Sequence, residues 1–143
     1  MKDLELAKKE LEEKELTLAI AKEGEIIFTS TDKGIKPMYT AVLKLKEELR
    51  GSSVADRVIG RAAAILCKYA GIKELYTKLI SDEAIKVLKD GDITFTYDES
   101  SPYIKNRDKT DMCPVEKLSQ NVDNPEELIQ KISEFLDRMK KRG

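Results

Sequence analysis

The chain of 143 residues contains no histidine, no tryptophan and only two cysteines, and these absences exclude several chemistries. Without histidine there is no Ser–His or Cys–His catalytic pair and no histidine-ligated metal. Cys67 and Cys113 alone do not supply the four ligands of a structural zinc site. With 26 basic and 27 acidic side chains, the net charge of −1 provides no field that attracts nucleic acid. We therefore expect no metal, no cofactor and no nucleic-acid partner.

Long apolar runs are also missing. No run approaches the roughly 20 residues that a membrane-spanning helix needs, so we expect no membrane partner. The segment from Met1 to Leu16 has a charged helical pattern rather than that of a secretory signal. Cysteines without an evident pairing fit a reducing compartment, which predicts a cytoplasmic protein. The charged fraction of 37%, balanced between Lys and Glu, is typical of proteins adapted to heat.

Apolar residues make up 41% of the chain, which is enough for one buried core. Hydrophobic periodicity, turn residues and capping residues define the order of elements. The predicted elements are a helix over 3–14, a hairpin of strands over 16–20 and 25–30, helices over 37–50 and 53–70, a strand over 74–80, a short helix after Ser81, a strand over 92–97, a short helix from Pro114 and a last helix from Asn124. This order predicts one α/β domain over 1–143, a three-layer α/β/α sandwich with a mixed sheet of at least four strands.

The segment 53–70 is predicted to be a helix with an unusual first turn. Ser53 and Asp56 have the spacing of a capping box, with Ser53 as the N-cap. Gly60 inside such a helix costs about 1 kcal/mol relative to alanine, so something close to the backbone is expected to offset it. A ligand is one explanation, and simple packing of the helix against the sheet is the structural alternative.

Two arginines follow in the same predicted helix. Arg57 and Arg61 are four residues apart and would share one face near the positive helix start. Guanidinium groups there would bind a phosphate or a carboxylate through paired hydrogen bonds. The arginines therefore favour a small-molecule ligand that carries phosphate or another anion.

Cys113 is the second candidate, because Pro114 suits the first position of a helix and makes Cys113 its N-cap. The helix dipole there favours the thiolate, and Glu116 can fix the turn as in a capping box. Without histidine, a nucleophilic role would depend on the dipole and on Arg107 or Lys109 nearby. The alternative is an inert capping cysteine, while Cys67 is predicted to fill the core.

The polar loop over 103–110 is the third candidate. Asn106 and Arg107 lie just before the predicted helix start, and loop residues held by a rigid scaffold often carry function. An ordinary solvated loop explains the same composition equally well.

The order of helix, hairpin, helix, strand, helix and strand resembles the cytidine-deaminase-like fold. In zinc deaminases a zinc ligand and the catalytic glutamate begin the helix after the hairpin, and two cysteines begin the helix after the third strand. The matching positions here are 53–56 and 80–84, and neither contains cysteine or histidine. The resemblance implies a retained scaffold without its zinc site.

Three stretches resemble, more narrowly, an uncharacterised prokaryotic family with a zinc-less version of this fold. They are ADRVIGRAAA over 55–64, the turn at Ser81, and IKNRDKTDMCPVE over 104–116. The resemblance implies a site at the carboxyl ends of parallel strands, where α/β sheets bind ligands. The residues expected to converge there are Asp56, Arg57, Ser81, Asn106, Arg107 and Cys113. Gly60, Arg61 and Glu116 are further candidates for ligand binding.

Three functions remain open from the sequence. The first is binding of a small anionic or nucleotide-like ligand near Asp56 and Cys113, which the arginines favour. The second is a metal-independent enzyme with Cys113 as nucleophile and Asp56 as acid/base. The third is an interaction module without a pocket, for instance a homodimer built on the helical faces.

Overall fold

The structure is a computed structural model that describes residues 2–106 and 111–142. Its strands are β1 (Leu18–Lys22), β2 (Glu25–Ser30), β3 (Ser53–Ile59), β4 (Glu74–Ser81) and β5 (Thr94–Ser101). Its helices are α1 (Asp3–Glu13), α2 (Lys36–Leu45), α3 (Arg61–Ala70), α4 (Asp82–Lys89), α5 (Pro114–Ser119) and α6 (Pro125–Arg142). A 3₁₀ turn over Lys46–Leu49 follows α2.

The strands form a mixed five-stranded sheet in the order β2-β1-β3-β4-β5. Strand β1 is antiparallel to both of its neighbours, so the predicted hairpin is confirmed. Strands β3, β4 and β5 are parallel and are joined by α3 and α4, as helical crossovers require. The predicted parallel pair across α4 is therefore confirmed, and so is the α/β class with a mixed sheet.

Helices cover both faces of the sheet. On one face, Ala7 and Leu11 of α1 pack against Ala19, Ala55 and Tyr76 from three strands. The larger core lies on the opposite face, under the other helices, and includes Ile20, Leu66, Leu75, Leu88 and Ile132. The small alanines under α1 let this helix approach the sheet closely. Among the described residues, no helix has the length and apolar character needed to cross a membrane.

The predicted helix over 53–70 is wrong in its first part. Ser53–Ile59 is the strand β3, paired with β1 and β4 on either side, and α3 begins only at Arg61. The strand is buried on both faces over its first residues, so it lacks the alternation that marks a half-buried strand. Ser53 and Asp56 therefore form no capping box, and Gly60 is the N-cap of α3 rather than an interior residue.

Two other predicted helix starts are confirmed. Ser81 Oγ accepts a hydrogen bond from the Ala84 N–H, and Asn124 Oδ1 accepts one from the Glu127 N–H. At the other end of α6, the apolar pattern of the helix continues to Met139 and predicts that this side chain points inward, but Met139 is 51% exposed. The prediction is wrong there because the last turns of α6 extend past the apolar surface that its first half covers.

Candidate functional site

A cavity of about 320 Å³ lies at the carboxyl end of β3, a size at the lower end of ligand-binding cavities. The starts of α2, α3 and α5 meet there, so backbone from three helix termini borders the same space. Most of its walls are apolar and include Ile35, Pro37, Val58, Ala62, Ala63, Ile104 and Val115. Five of the residues predicted for the site also border it by side chain or backbone, namely Asp56, Arg57, Gly60, Cys113 and Glu116.

Asp56 places a carboxylate on the cavity wall near the end of β3. Its Oδ1 atom accepts hydrogen bonds from the N–H groups of Arg57 at 2.7 Å and Val58 at 3.3 Å. Its Oδ2 atom makes no hydrogen bond with any residue in 2–106 or 111–142. Desolvation raises the pKa of Asp56 to about 7, against smaller lowering effects of the two N–H groups and the Arg57 charge. At neutral pH this side chain can therefore either accept or donate a proton.

Arg57 borders the same cavity, but its guanidinium group is directed toward α1. Its Nε atom donates to the Leu16 carbonyl at 2.5 Å, and Nη2 lies 3.4 Å from the Leu11 carbonyl. Because neighbouring residues of a strand point to opposite faces, Asp56 faces the cavity while Arg57 fastens the end of α1. The guanidinium group predicted to bind an anion thus binds backbone carbonyls.

Arg61 has a similar structural task at the start of α3. Its Nε atom donates to the Ser119 carbonyl at 2.8 Å, and its Nη2 atom contacts the Val122 carbonyl and Asp123 Oδ1. The side chain is buried, so these carbonyls depend on it for their hydrogen bonds. Arg61 joins α3 to the end of α5 and the turn that follows.

Glu116 explains both the start of α3 and the glycine before it. Its Oε1 atom accepts from the Arg61 N–H at 2.6 Å and its Oε2 atom from the Ile104 N–H at 2.9 Å. A Cβ atom on Gly60 would lie 2.7 Å from Glu116 Oε1, so only glycine leaves room for this carboxylate. The capping role predicted for Glu116 on its own helix is wrong, because the carboxylate caps α3 instead.

Cys113 is the N-cap of α5, as predicted from Pro114, but its side chain makes no capping hydrogen bond. Its backbone N–H donates to the Ile104 carbonyl at 2.7 Å, which fixes the position of the residue on the cavity wall. The thiol is partly accessible, whereas Cys67 is buried in the core as predicted. Burial also raises the pKa of the Cys67 thiol far above its usual value. Cys113 is therefore the thiol that a small molecule in the cavity can reach.

Among the described residues predicted for the site, Arg61, Ser81 and Asn106 do not border this cavity. Ser81 is buried as the cap of α4, and Asn106 donates its backbone N–H to the Asp111 carbonyl. Arg107 and Lys109 lie outside the described residues.

Sequence reasoning missed the contribution of the segment before α2. Lys33, Gly34, Ile35 and Pro37 all border the cavity, and so does Thr17, whose Oγ1 atom donates to the Ser30 and Asp32 carbonyls. Pro37 carried a usable signal, because it begins the helix that directly follows the hairpin. The signal was missed because the start of the helix that follows the hairpin in the deaminase-like fold was assigned to the segment 53–56.

The residues of the cavity do not fit a zinc ion. Asp56, Cys113 and Glu116 carry suitable atoms, but both Glu116 oxygens already accept backbone N–H groups. Over the described ranges 2–106 and 111–142, no group of three or more acidic or cysteine side chains is arranged to hold a metal ion. We therefore derive no chemistry through a metal.

These features define an α/β protein with a mixed sheet and a small, mainly apolar cavity at the carboxyl edge of its parallel strands. Residues 6–136 match the family described as TM1506: Domain of unknown function (DUF1893), and the chain belongs to this family. The expected membership of an uncharacterised family is confirmed. The chain is similar to the crystal structure of a DUF1893 family protein (TM1506) from Thermotoga maritima, with 34% identity and a TM-score of 0.84 over 92% of this chain and 88% of that one. A search of the curated proteins finds no match.

Proposed function

We propose that the chain binds a small nucleotide-like molecule in the cavity beside Asp56 and Cys113. The observation that carries the proposal is the combination of apolar walls with one carboxylate whose Oδ2 atom has no partner among the described residues. Ligand sites commonly pair apolar walls with a few polar groups that fix orientation. A cavity of this kind is also an argument against a pocketless interaction module.

Asp56 supplies the polar contact that a nucleobase needs. The edge of a base carries adjacent donors and acceptors, and a carboxyl group with a pKa of about 7 can serve either kind. The Oδ2 atom of Asp56 is accessible from the cavity, and a ligand N–H would bond to it there. The energetic cost of Asp56 to the free protein is a further reason to assign it a role in binding.

Lys33 supplies the positive charge at the rim. Its side chain is exposed, borders the cavity and forms no ion pair within the described part of the chain. Because Arg57 and Arg61 are bonded to protein carbonyls, Lys33 is the cation that we assign to a phosphate group of the ligand. A lysine contributes a flexible point charge rather than a paired contact, which suits a group held outside the cavity.

Binding is tested by titrating nucleobases, nucleosides, nucleotides and sugar phosphates against the protein and following the melting temperature. Saturation at 100 times Kd would add about 2.7 kcal/mol to the free energy of unfolding. Asp56→Asn should abolish the shift, whereas Asp92→Asn at an exposed position should keep it. If no base-bearing compound stabilises the wild-type protein at millimolar concentration, the proposal is wrong.

A second function is favoured by one specific observation, which is that a titrating carboxyl and an accessible thiol border the same cavity. In this reading Cys113 is the nucleophile and Asp56 accepts its proton, without a metal. The alkylation rate of Cys113 should then show a step near pH 7 that Asp56→Asn removes. Identical pH profiles for the two proteins would exclude this mechanism.

The fold is proposed to be cytidine-deaminase-like, with a corrected assignment of the zinc positions. The helix after the hairpin is α2, and the helix after the third strand is α3. Both helix starts border the cavity, so the earlier assignment to 53–56 and 80–84 is replaced by 35–37 and 60–62. These positions also lack cysteine and histidine. In this proposal the cavity occupies the place of the lost zinc site.

The remaining expectations rest on the sequence and on the family resemblance. A cytoplasmic location, a prokaryotic origin, the lack of a nucleic-acid partner and a homodimer through the helical faces stay predictions. Sedimentation of the purified protein would test the dimer directly.

A further inference from the structure

We propose that Glu116 determines the charge of the ligand that the cavity accepts. Its carboxylate is an anion built into the protein, and it fills the place at the start of α3 that a phosphate or carboxylate ligand would otherwise take. This inference rests on the proposed function and sharpens it. The inner cavity accepts an uncharged or positively charged group, and any phosphate stays at the rim beside Lys33.

The start of α3 has the properties of an anion site. Helix α3 is ten residues long. As in any α-helix, its first N–H groups lack partners within the helix and carry partial positive charge. Gly60 at the N-cap has no side chain that could satisfy them. The Arg61 N–H donates instead to Glu116 Oε1 at 2.6 Å, across a separation of 55 residues.

Burial and two hydrogen bonds hold Glu116 in this place. The residue is 6% exposed, and its second oxygen is held by the Ile104 N–H at 2.9 Å. Gly60 keeps the space for it, because any Cβ atom there would overlap Oε1. Two charge-assisted hydrogen bonds and close packing thus fix the carboxylate at the wall of the cavity.

Within the described residues, the charge of Glu116 has no ion-pair partner. The backbone N–H of Arg61 bonds to Glu116, but the guanidinium group of Arg61 is directed to Ser119, Val122 and Asp123. A second anion entering the inner cavity would be repelled by this charge, because the apolar walls screen it less than bulk water does.

The test removes the carboxylate and offers a replacement. In Glu116→Ala, we expect sodium formate to bind in the vacated space, shift the amide resonances of Arg61 and Ile104 saturably, and raise Tm with the logarithm of its concentration. Inorganic phosphate should shift the same two resonances. In the wild-type protein neither anion should shift them, because the site is filled.

Two control variants make the result specific. Glu126→Ala removes an exposed glutamate from the first turn of α6, and formate should not change its Tm. Glu116→Gln keeps the volume without the charge, and formate should not change its Tm either, because no space is vacated. If Glu116→Ala unfolds, recovery of the folded amide spectrum on addition of formate is the expected result.

Two results would overturn the inference. One is binding of formate or phosphate at Arg61 and Ile104 in the wild-type protein. The other is a Glu116→Ala variant that does not bind formate and, if it is unfolded, does not regain its fold when formate is added. Both results are measured without any nucleoside. A failure of the proposed function would instead appear as no response to base-bearing compounds, so it is distinguished from a failure of the inference about Glu116.

Discussion

The cavity has two walls that each carry a carboxylate, and the two carboxylates are in opposite situations. On the wall formed by the end of β3, Asp56 has one oxygen without a partner among the described residues and a pKa raised to about 7. On the wall formed by α5, both oxygens of Glu116 accept backbone N–H groups and the side chain is buried. Glu116 therefore stabilises the fold. Asp56 destabilises it when ionised and remains available to a ligand.

The same distinction divides the other charged and reactive residues. We call Gly60 and Glu116, together with Arg61, which adjoins them without bordering the cavity, the bonded wall, and Asp56 and Cys113 the open wall. Substitutions in the bonded wall should lower stability, because each partner there satisfies another buried group. Substitutions in the open wall should leave stability unchanged or increase it, and should affect binding instead.

The largest effect is expected for Arg61→Met in the bonded wall. The variant leaves the Ser119 and Val122 carbonyls without their donor, so the free energy of unfolding should fall by about 3 kcal/mol. Arg138→Met, at an exposed position, should change it by less than about 0.5 kcal/mol. Urea unfolding measures both values, and similar losses in the two variants would contradict the division.

Gly60→Ala should have the next largest effect. A Cβ atom 2.7 Å from Glu116 Oε1 forces the carboxylate away from the N–H groups it caps, with a loss of about 2 kcal/mol. Gly91→Ala is the matched control, because its Cβ atom would meet only the flexible Lys68 side chain at 3.4 Å. Equal free energies of unfolding in urea for the two alanine variants would contradict this prediction.

Asp56→Asn should act in the opposite direction and only at higher pH. The pKa of Asp56 is about 7 in the folded chain against 3.8 when unperturbed, so the folded protein binds the proton more tightly. Stability is therefore full below pH 4 and falls as the pH rises through 7. The full shift corresponds to about 4 kcal/mol, and we expect less than half of it because water reaches the cavity.

At pH 8 the variant should accordingly be more stable than the wild-type protein by about 1.5 kcal/mol, and at pH 4 the two should be equal. Thermal unfolding across this range measures the difference. Asp92→Asn at an exposed site should follow the wild-type curve. Parallel curves for Asp56→Asn and the wild-type protein would place Asp56 among the structural residues.

Cys113→Ser should have the smallest effect, below about 0.5 kcal/mol, because the thiol makes no capping bond. Cys67→Ser should cost more, since it puts a hydroxyl group into the core. Iodoacetamide should modify the native protein at Cys113 and reach Cys67 only after unfolding. Mass spectrometry of the modified peptides distinguishes the two sites.

Local signals account for the parts of the fold that were predicted from the sequence. The hairpin turn at Gly24, the Ser81 and Asn124 caps, and Pro114 at the start of α5 each depend on a few neighbouring residues. Strand β3 was missed because it is covered on both faces and because Ser53 and Asp56 imitate a capping box. Its strand state is decided by pairing with β1 and β4, which no local pattern records.

In the site, too, features that local signals indicate were predictable, and those that depend on distant contacts were not. Asp56, Gly60, Cys113 and Glu116 were predicted for the site and do border one cavity. The roles of the arginines were not predictable, because their carbonyl partners lie far away in the sequence. Arg61, for example, contacts the Ser119 carbonyl across 58 positions. Only the folded backbone determines which carbonyls lie within reach of a guanidinium group.

Strand β3 also separates two neighbours in a way that bears on how this family diversifies. Asp56 and Arg57 are adjacent in the chain, yet one faces the cavity and the other fastens α1 on the opposite side of the sheet. Selection can therefore act on each without the other. If Asp56 contacts the ligand as proposed, a relative that keeps the arginine but replaces the aspartate will share the architecture and differ in the ligand that it binds.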